Sequence, residues 1–216
     1  MPASADASPK SSATSQLLRI GSTRYPDALV RYLGERAPAA ISALGNLDIL
    51  AKGAIALFCS VRCPGNVILE AYELARALRE AGRTVIGGFH SPMEKECLRL
   101  LLGGRQPVII CPARGIETMR LPVDWQSPVA DGRVLVLSSF GEGQRRITAD
   151  LAQKRNEFVA ALADEVFVAH AEPGGKTEAF AQTVVRWGKP LLAVESPSTT
   201  NLVTLGARIV KPRDFR

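Results

Sequence analysis

Four short segments of the chain combine glycine with hydroxyl, cationic or amide side chains, a mixture that lets backbone close on anionic oxygens. Ser60 to Asn66 offers the Ser60 hydroxyl and the Arg62 guanidinium, with Gly65 free to turn. Gly87 and Gly88 precede Phe89, His90 and Ser91, and Pro92 suits the first turn of a helix. Gly141 to Arg146 is a glycine-bearing loop that ends in two arginines. In Pro173 to Thr177, Gly174 and Gly175 are expected to expose backbone N–H groups at a helix start, with Lys176 and Thr177 completing an anion site. This last segment is not a triphosphate-binding P-loop, because His170 stands where such a loop requires its first glycine.

Arg145, Arg146, Lys154 and Arg155 concentrate positive charge, and Arg155, Asn156 and Glu157 set a guanidinium, an amide and a carboxylate side by side. A guanidinium can grip phosphate through two parallel N–H groups, which makes Arg155 the leading cation. His90 and His170 lie near strand ends and read as hydrogen-bonded structural residues. Trp125 and Trp187 stand too far apart to form a stacking ladder for bases. The spacing of Cys59, Cys63, Cys97 and Cys111 matches no common zinc pattern, so reduced thiols are expected, with no metal and no cofactor. Cys59 and Cys111 close apolar runs and read as small buried hydrophobes, whereas Cys63 lies in the turn-like SVRCPG and is the thiol to test for reactivity.

The elements that must carry these loops alternate regularly. Short apolar runs at 54–59, 84–89, 107–113, 133–140, 164–171 and 189–195 read as buried strands. Helical periodicity at 67–82, 93–104, 147–163 and 176–188 separates them. Such alternation predicts an α/β, Rossmann-like, doubly wound and mostly parallel sheet of six or more strands with helices on both faces. Ligands then belong outside the carboxyl ends of the strands, where the glycine-bearing loops fall. The stretch 114–131, rich in Pro, Gly and charge, reads as a long loop. Residues 19–52 read as a preface of two short helices, and 1–18 as a polar disordered tail, leaving one domain over 19–216.

With 216 residues, 46% hydrophobic and 22% charged, the chain has enough apolar side chains for one sizeable core, which excludes a disordered protein. Its net charge of +6 favours an anionic partner such as a nucleotide or nucleic acid. No apolar run is long enough for a membrane-spanning helix, and the polar start lacks the apolar region of a secretory signal, so a cytoplasmic location is expected.

In order along residues 25–210, YPDAL, LGN at 44–46, ALFCSVR at 56–62, GGF at 87–89, KRN at 154–156, PGGKTEA and LGA at 205–207 resemble the Rossmann-like domain of the DprA/Smf family of DNA-processing proteins. The resemblance implies a protein that loads or protects single-stranded DNA for recombination or DNA uptake, as a homodimer with a recombinase partner. It implies phosphate contacts at Ser60, Arg62, Gly87, Gly88, Arg155, Asn156, Gly175 and Thr177. The chain departs from the family's RNR at 155–157, where Glu157 replaces a cation, and from its SGLARGID, where GGFHSPMEKE stands. KRNEF and PGGKTEA are also similar to the lysine decarboxylase-like, or LOG, phosphoribohydrolases. That alternative implies a nucleoside-monophosphate hydrolase in which Arg155 holds phosphate and Glu178 assists cleavage of the N-glycosidic bond. A non-catalytic sensor of a nucleotide signal would use the same loops.

Overall fold

A computed structural model describes residues 15–215. Nine strands form one sheet in the order β1-β2-β6-β5-β4-β3-β7-β8-β9. The strands are β1 (Gln16–Arg19), β2 (Ala40–Gly45), β3 (Ala54–Phe58), β4 (Thr84–Gly87), β5 (Val108–Ile110), β6 (Val134–Ser138), β7 (Glu165–Val168), β8 (Leu191–Ala193) and β9 (Arg208–Ile209). From β6 to β9 across the sheet every neighbouring pair is parallel, while β1–β2 and β2–β6 are antiparallel. The architecture is the doubly wound Rossmann-like class.

Both faces are covered because successive residues of a central strand point to opposite sides. In β3, Ala54, Ala56 and Phe58 join one core with Phe158, Val159, Phe180 and Val184 from helices α5 (Ala149–Leu162) and α6 (Lys176–Arg186). Ile55 and Leu57 join the other, with Leu74 and Leu78 of α2 (Gly65–Glu80) and Leu98 and Leu101 of α3 (Pro92–Leu102). Helix α2 buries Val67, Ala71, Leu74, Ala75 and Leu78, the three-and-four spacing of an amphipathic helix, and stops at Gly82, whose φ of 69° ends the helical path.

Three expectations need revision. The 19–52 preface contains one α-helix, α1 (Asp27–Leu33), and contributes β1 and β2 to the sheet. Ala40–Gly45, whose two alanines and one leucine favour helix, is a strand because Ile41 and Ala43 fill one core and Leu44 the other; burial on both faces overrides local propensity. The polar tail read as reaching 18 gives way to β1 from Gln16, and its residues 1–14 lie outside the described part. The 114–131 segment holds helix α4 (Val123–Ala130), which tucks Pro128 and Val129 inward. A short helix, α7 (Thr200–Thr204), precedes β9.

Candidate functional site

The strand order reverses beside β3. From β3 the chain steps outward through β4, β5 and β6, then returns on the other side as β7. The helices that follow β3 and β7, α2 and α6, pack on opposite faces of the sheet, so their starts flank the switch point, where this topology leaves a crevice at the carboxyl ends of the strands. Ser60 ties the loop after β3 to the loop after β7. Its amide donates to the His170 carbonyl at 2.9 Å, and its hydroxyl accepts from the Glu172 amide at 3.1 Å. His170 is itself fixed, its Nδ1 lying 3.0 Å from the Ser198 carbonyl.

The helix starts supply donors. α2 begins after Pro64 and α6 after Gly175, and neither N-cap residue makes a side-chain hydrogen bond. The first-turn amides of Gly65, Asn66 and Val67, and of Lys176, Thr177 and Glu178, therefore have no intrahelical acceptor. Arg62 and Lys176 are exposed beside these two helix starts. Two helix dipoles, unpaired amides and two cations give this crevice a chemistry that favours anions.

The glycines of PGGKT act differently from expectation. The Gly174 amide donates to Glu178 Oε2 at 2.7 Å, and the Gly175 amide donates to the Glu172 carbonyl at 2.9 Å. Both N–H groups are occupied, and the free donors begin one residue later, at Lys176. Gly174 has a φ of 70°, the left-handed conformation the turn requires. Glu178 Oε1 accepts from Asn201 Nδ2 at 2.6 Å. These two donors, Asn201 first and then Gly174, hold the Glu178 carboxyl below the usual range.

Gly87 and Gly88 serve the next loop along the rim. A Cβ on Gly88 would lie 1.5 Å from Arg155 Nη1, and one on Gly87 would lie 3.1 Å from the Phe89 ring. Gly88 is therefore needed for space. Phe89 has a φ of 47°, unusual for a bulky residue, with its ring buried beneath the turn. Arg155 is only 5% exposed. Its Nε donates to Asn156 Oδ1 at 2.8 Å and its Nη1 to the Cys111 carbonyl at 3.3 Å. Burial pulls its pKa below the ordinary value, and the nearby Glu94 carboxylate opposes that shift. The guanidinium expected to grip phosphate in the open thus sits under Gly88 and braces the ends of β4 and β5.

Glu94, not among the residues expected at the site, is the other brace. It is 5% exposed and accepts from the Cys59 amide at 2.8 Å, the His90 amide at 2.7 Å and the Ser91 amide at 3.2 Å. Ser91 Oγ in turn accepts from the Glu94 amide, completing a capping box at the start of α3. The S-x-x-E spacing of Ser91 and Glu94 was the available signal. Ser60, Glu94 and Arg155 thus link the loops after β3, β4, β5 and β7, bringing Ser60, Arg62, Gly87, Gly88, Arg155, Asn156 and the 174–177 turn to one rim.

The fourth segment, Gly141 to Arg146, lies farther along, after β6. Its Gly141, Gly143 and Gln144, with Phe140, Leu151, Lys154 and Phe158, line a cavity of about 620 Å³. Glu157, the anion in place of a family cation, also lines it and is ion-paired to Arg36 of the N-terminal preface. Its charge is met within the fold. Among the described residues no cluster of three or more His, Cys, Asp or Glu could hold a metal ion, and no helix is long and apolar enough to cross a membrane.

Comparison with known proteins agrees with this architecture. The family described as DNA recombination-mediator protein A matches residues 16–213. DNA processing protein A from Streptococcus pneumoniae superposes with a TM-score of 0.78 at 19% identity, covering 93% of this chain and 72% of its own. DNA processing protein A from Helicobacter pylori gives 0.74 at 18% identity, covering 93% of each chain. The molybdenum cofactor binding protein from Rippkaea orientalis, at 0.52 and 12% identity, shares the fold over 76% of this chain and 92% of its own. No curated protein matches the chain.

Proposed function

This chain belongs to the DNA recombination-mediator protein A family, and we propose that it binds single-stranded DNA across the carboxyl rim of its sheet. The observation that carries the reading is the switch point between β3 and β7, where the N-cap residues of α2 and α6 make no side-chain hydrogen bond and Arg62 and Lys176 are exposed beside the two helix starts. Unpaired amides and exposed cations recognise phosphate without reading base sequence, as a protein that coats single strands must. The Helicobacter pylori protein of the same fold is described as having a single-stranded DNA binding mode, which fits. Arg62, Lys176 and Thr177 contact phosphate; Ser60, Gly87, Gly88, Arg155, Asn156, Gly174 and Gly175 shape the rim that presents them. A role in recombination or DNA uptake, a homodimeric state, a recombinase partner and a cytoplasmic location come with this reading from the family resemblance.

The hydrolase alternative needs Glu178 as an acid, base or stabilising charge. Both of its oxygens instead serve Gly174 and Asn201, which makes it a cap of its own helix. Titration of a labelled single-stranded oligonucleotide, read by fluorescence anisotropy at several salt concentrations, tests the proposal. The expected outcome is binding that weakens linearly in log–log form as salt rises. Release of adenine from AMP, with no such binding, would install the hydrolase reading. Thermal stabilisation by a nucleotide, without turnover or DNA binding, would install the sensor.

A further inference from the structure

The two histidines of the chain differ in setting. His90 is exposed on the loop after β4, whereas His170 is 5% exposed on the loop that joins β7 to α6. The Ser198 carbonyl, 3.0 Å from His170 Nδ1, can only accept a hydrogen bond. Nδ1 therefore carries the proton of the neutral ring, and Nε2 keeps a bare lone pair. That nitrogen lies 3.7 Å from Glu172 Oε2. Neither a bare imidazole nitrogen nor a carboxylate has a proton to share, and among the described residues no donor serves either one. The missing piece between them is a proton.

We propose that His170 and Glu172 form a pH-responsive pair in the crevice: a proton taken up at His170 Nε2 joins the ring to the Glu172 carboxylate and strengthens phosphate binding at the starts of α2 and α6. The idea rests on the DNA reading above and adds how that site is regulated. Histidine is the side chain that gains its charge between about pH 8 and 5. While the ring is neutral, Glu172, whose side chain is 64% exposed, holds a negative charge just ahead of α6 and opposes phosphate. Its backbone is fixed, since its amide donates to Ser60 Oγ at 3.1 Å and its carbonyl accepts from the Gly175 amide at 2.9 Å. The side chain alone can turn. An imidazolium presents an N–H to that carboxylate, and the crevice gains one positive charge. One proton moves from solvent to Nε2, and no bond between heavier atoms changes.

The ring is connected to both helix starts. Its Nδ1–H holds Ser198, whose amide donates to Ser196 Oγ at 3.2 Å, and that same hydroxyl accepts from Asn66 Nδ2 at 3.1 Å in the first turn of α2. The surrounding elements bring Arg62 ahead of α2, Lys176 and Glu178 in the first turn of α6, the Cys59 thiol after β3, and Glu94, which reaches the Cys59 amide from α3. Glu178 is already committed to Gly174 and Asn201, and the 197–204 segment holds no charged side chain. Among the described residues Glu172 supplies the one carboxylate within 4.0 Å of a His170 ring nitrogen.

The ring and the DNA are read separately. The full chain, labelled with nitrogen-15, is followed by NMR of its imidazole nitrogens from about pH 8 to about pH 5.5, with His90→Gln assigning the signals. The expected result for His170 is the Nδ1–H tautomer at the alkaline end and a doubly protonated ring at the acid end. An Nε2–H tautomer at the alkaline end, or a ring neutral throughout, overturns the proposal. Affinity for a labelled single-stranded oligonucleotide is then measured at constant ionic strength. Wild type and His90→Gln are expected to bind about fivefold more tightly at about pH 6 than at about pH 8, and His170→Gln to change by less than about twofold. Glu172→Gln, which removes the opposing charge and leaves the ring in place, is expected to bind about threefold more tightly than wild type at about pH 8. Should His170→Gln fail to fold, this variant and the NMR titration decide. An equal pH response in His170→Gln, or no gain in Glu172→Gln, overturns the proposal. Absence of binding at either pH, with the ring gaining its proton, overturns the DNA reading and leaves the His170–Glu172 pair standing.

Discussion

Two Gly-Gly pairs lie on the same rim and do different work. At 87–88 the backbone conformation would accept other residues, and the missing side chain matters: Phe89 fills the space above Gly87, and the Arg155 guanidinium fills that beside Gly88. At 174–175 the two glycines divide the work: the space next to Gly174 is empty and its left-handed φ of 70° matters, whereas a Cβ on Gly175 would come within 2.8 Å of the Glu172 carbonyl oxygen. One pair makes room for a buried cation, the other bends the chain so that α6 starts where its amides face the crevice. A Gly-Gly dipeptide therefore signals close backbone approach only when something occupies the missing Cβ position.

The largest effect that tests this contrast is Gly88→Ala. Its methyl group would overlap Arg155, and a loss of about 3 kcal/mol in urea unfolding is expected; a loss below about 1 kcal/mol would show that Arg155 is not held there. Arg155→Met, which keeps the volume but removes the charge beside Glu94, is expected to cost about 2 kcal/mol. Combining the two should cost less than their sum, because the flexible Met yields space to the new methyl group. Additivity would mean that the two residues do not compete. Gly174→Ala, with no steric conflict, is expected to cost about 1 kcal/mol for its left-handed backbone, and Gly174→Asn less.

The smallest effect is one that acid removes. Asn201 and the Gly174 amide stabilise the ionised Glu178, so the native state binds fewer protons than the unfolded chain around the ordinary glutamate pKa of about 4.3. The stability this confers is present above that pH and lost as pH falls through the lowered native value. Wild type and Glu178→Gln should therefore differ in stability at neutral pH and converge in acid. A constant difference would mean that the carboxylate charge is not what the cap uses.

Much of this organisation was legible in the residues. The apolar runs ending in Cys59, Cys111 and Ala171 gave the parallel strands, because strands buried on both faces must be continuously apolar. Ala40–Gly45 was not legible, since Ile41 is its one strand-favouring residue among Ala, Ser, Leu and Gly, and pairing to β1 and β6 decides the matter. Helix α4 was hidden by Pro122 at its start and Pro128 within it. At the site, spacing could place Arg155 near the rim but not show which way its guanidinium points. The Ser91–Glu94 capping box was readable, yet nothing local announced that Glu94 would also reach the Cys59 amide, a contact between residues 35 apart.

The most direct test compares salt slopes of single-stranded DNA binding for wild type, Arg62→Ala and Lys176→Ala. Each variant is expected to weaken binding to all sequences alike and to flatten the slope of log affinity against log salt by about 0.7, the share of a single neutralised phosphate. Wild-type slopes in both variants would place the DNA elsewhere on the molecule and contradict the crevice as its site.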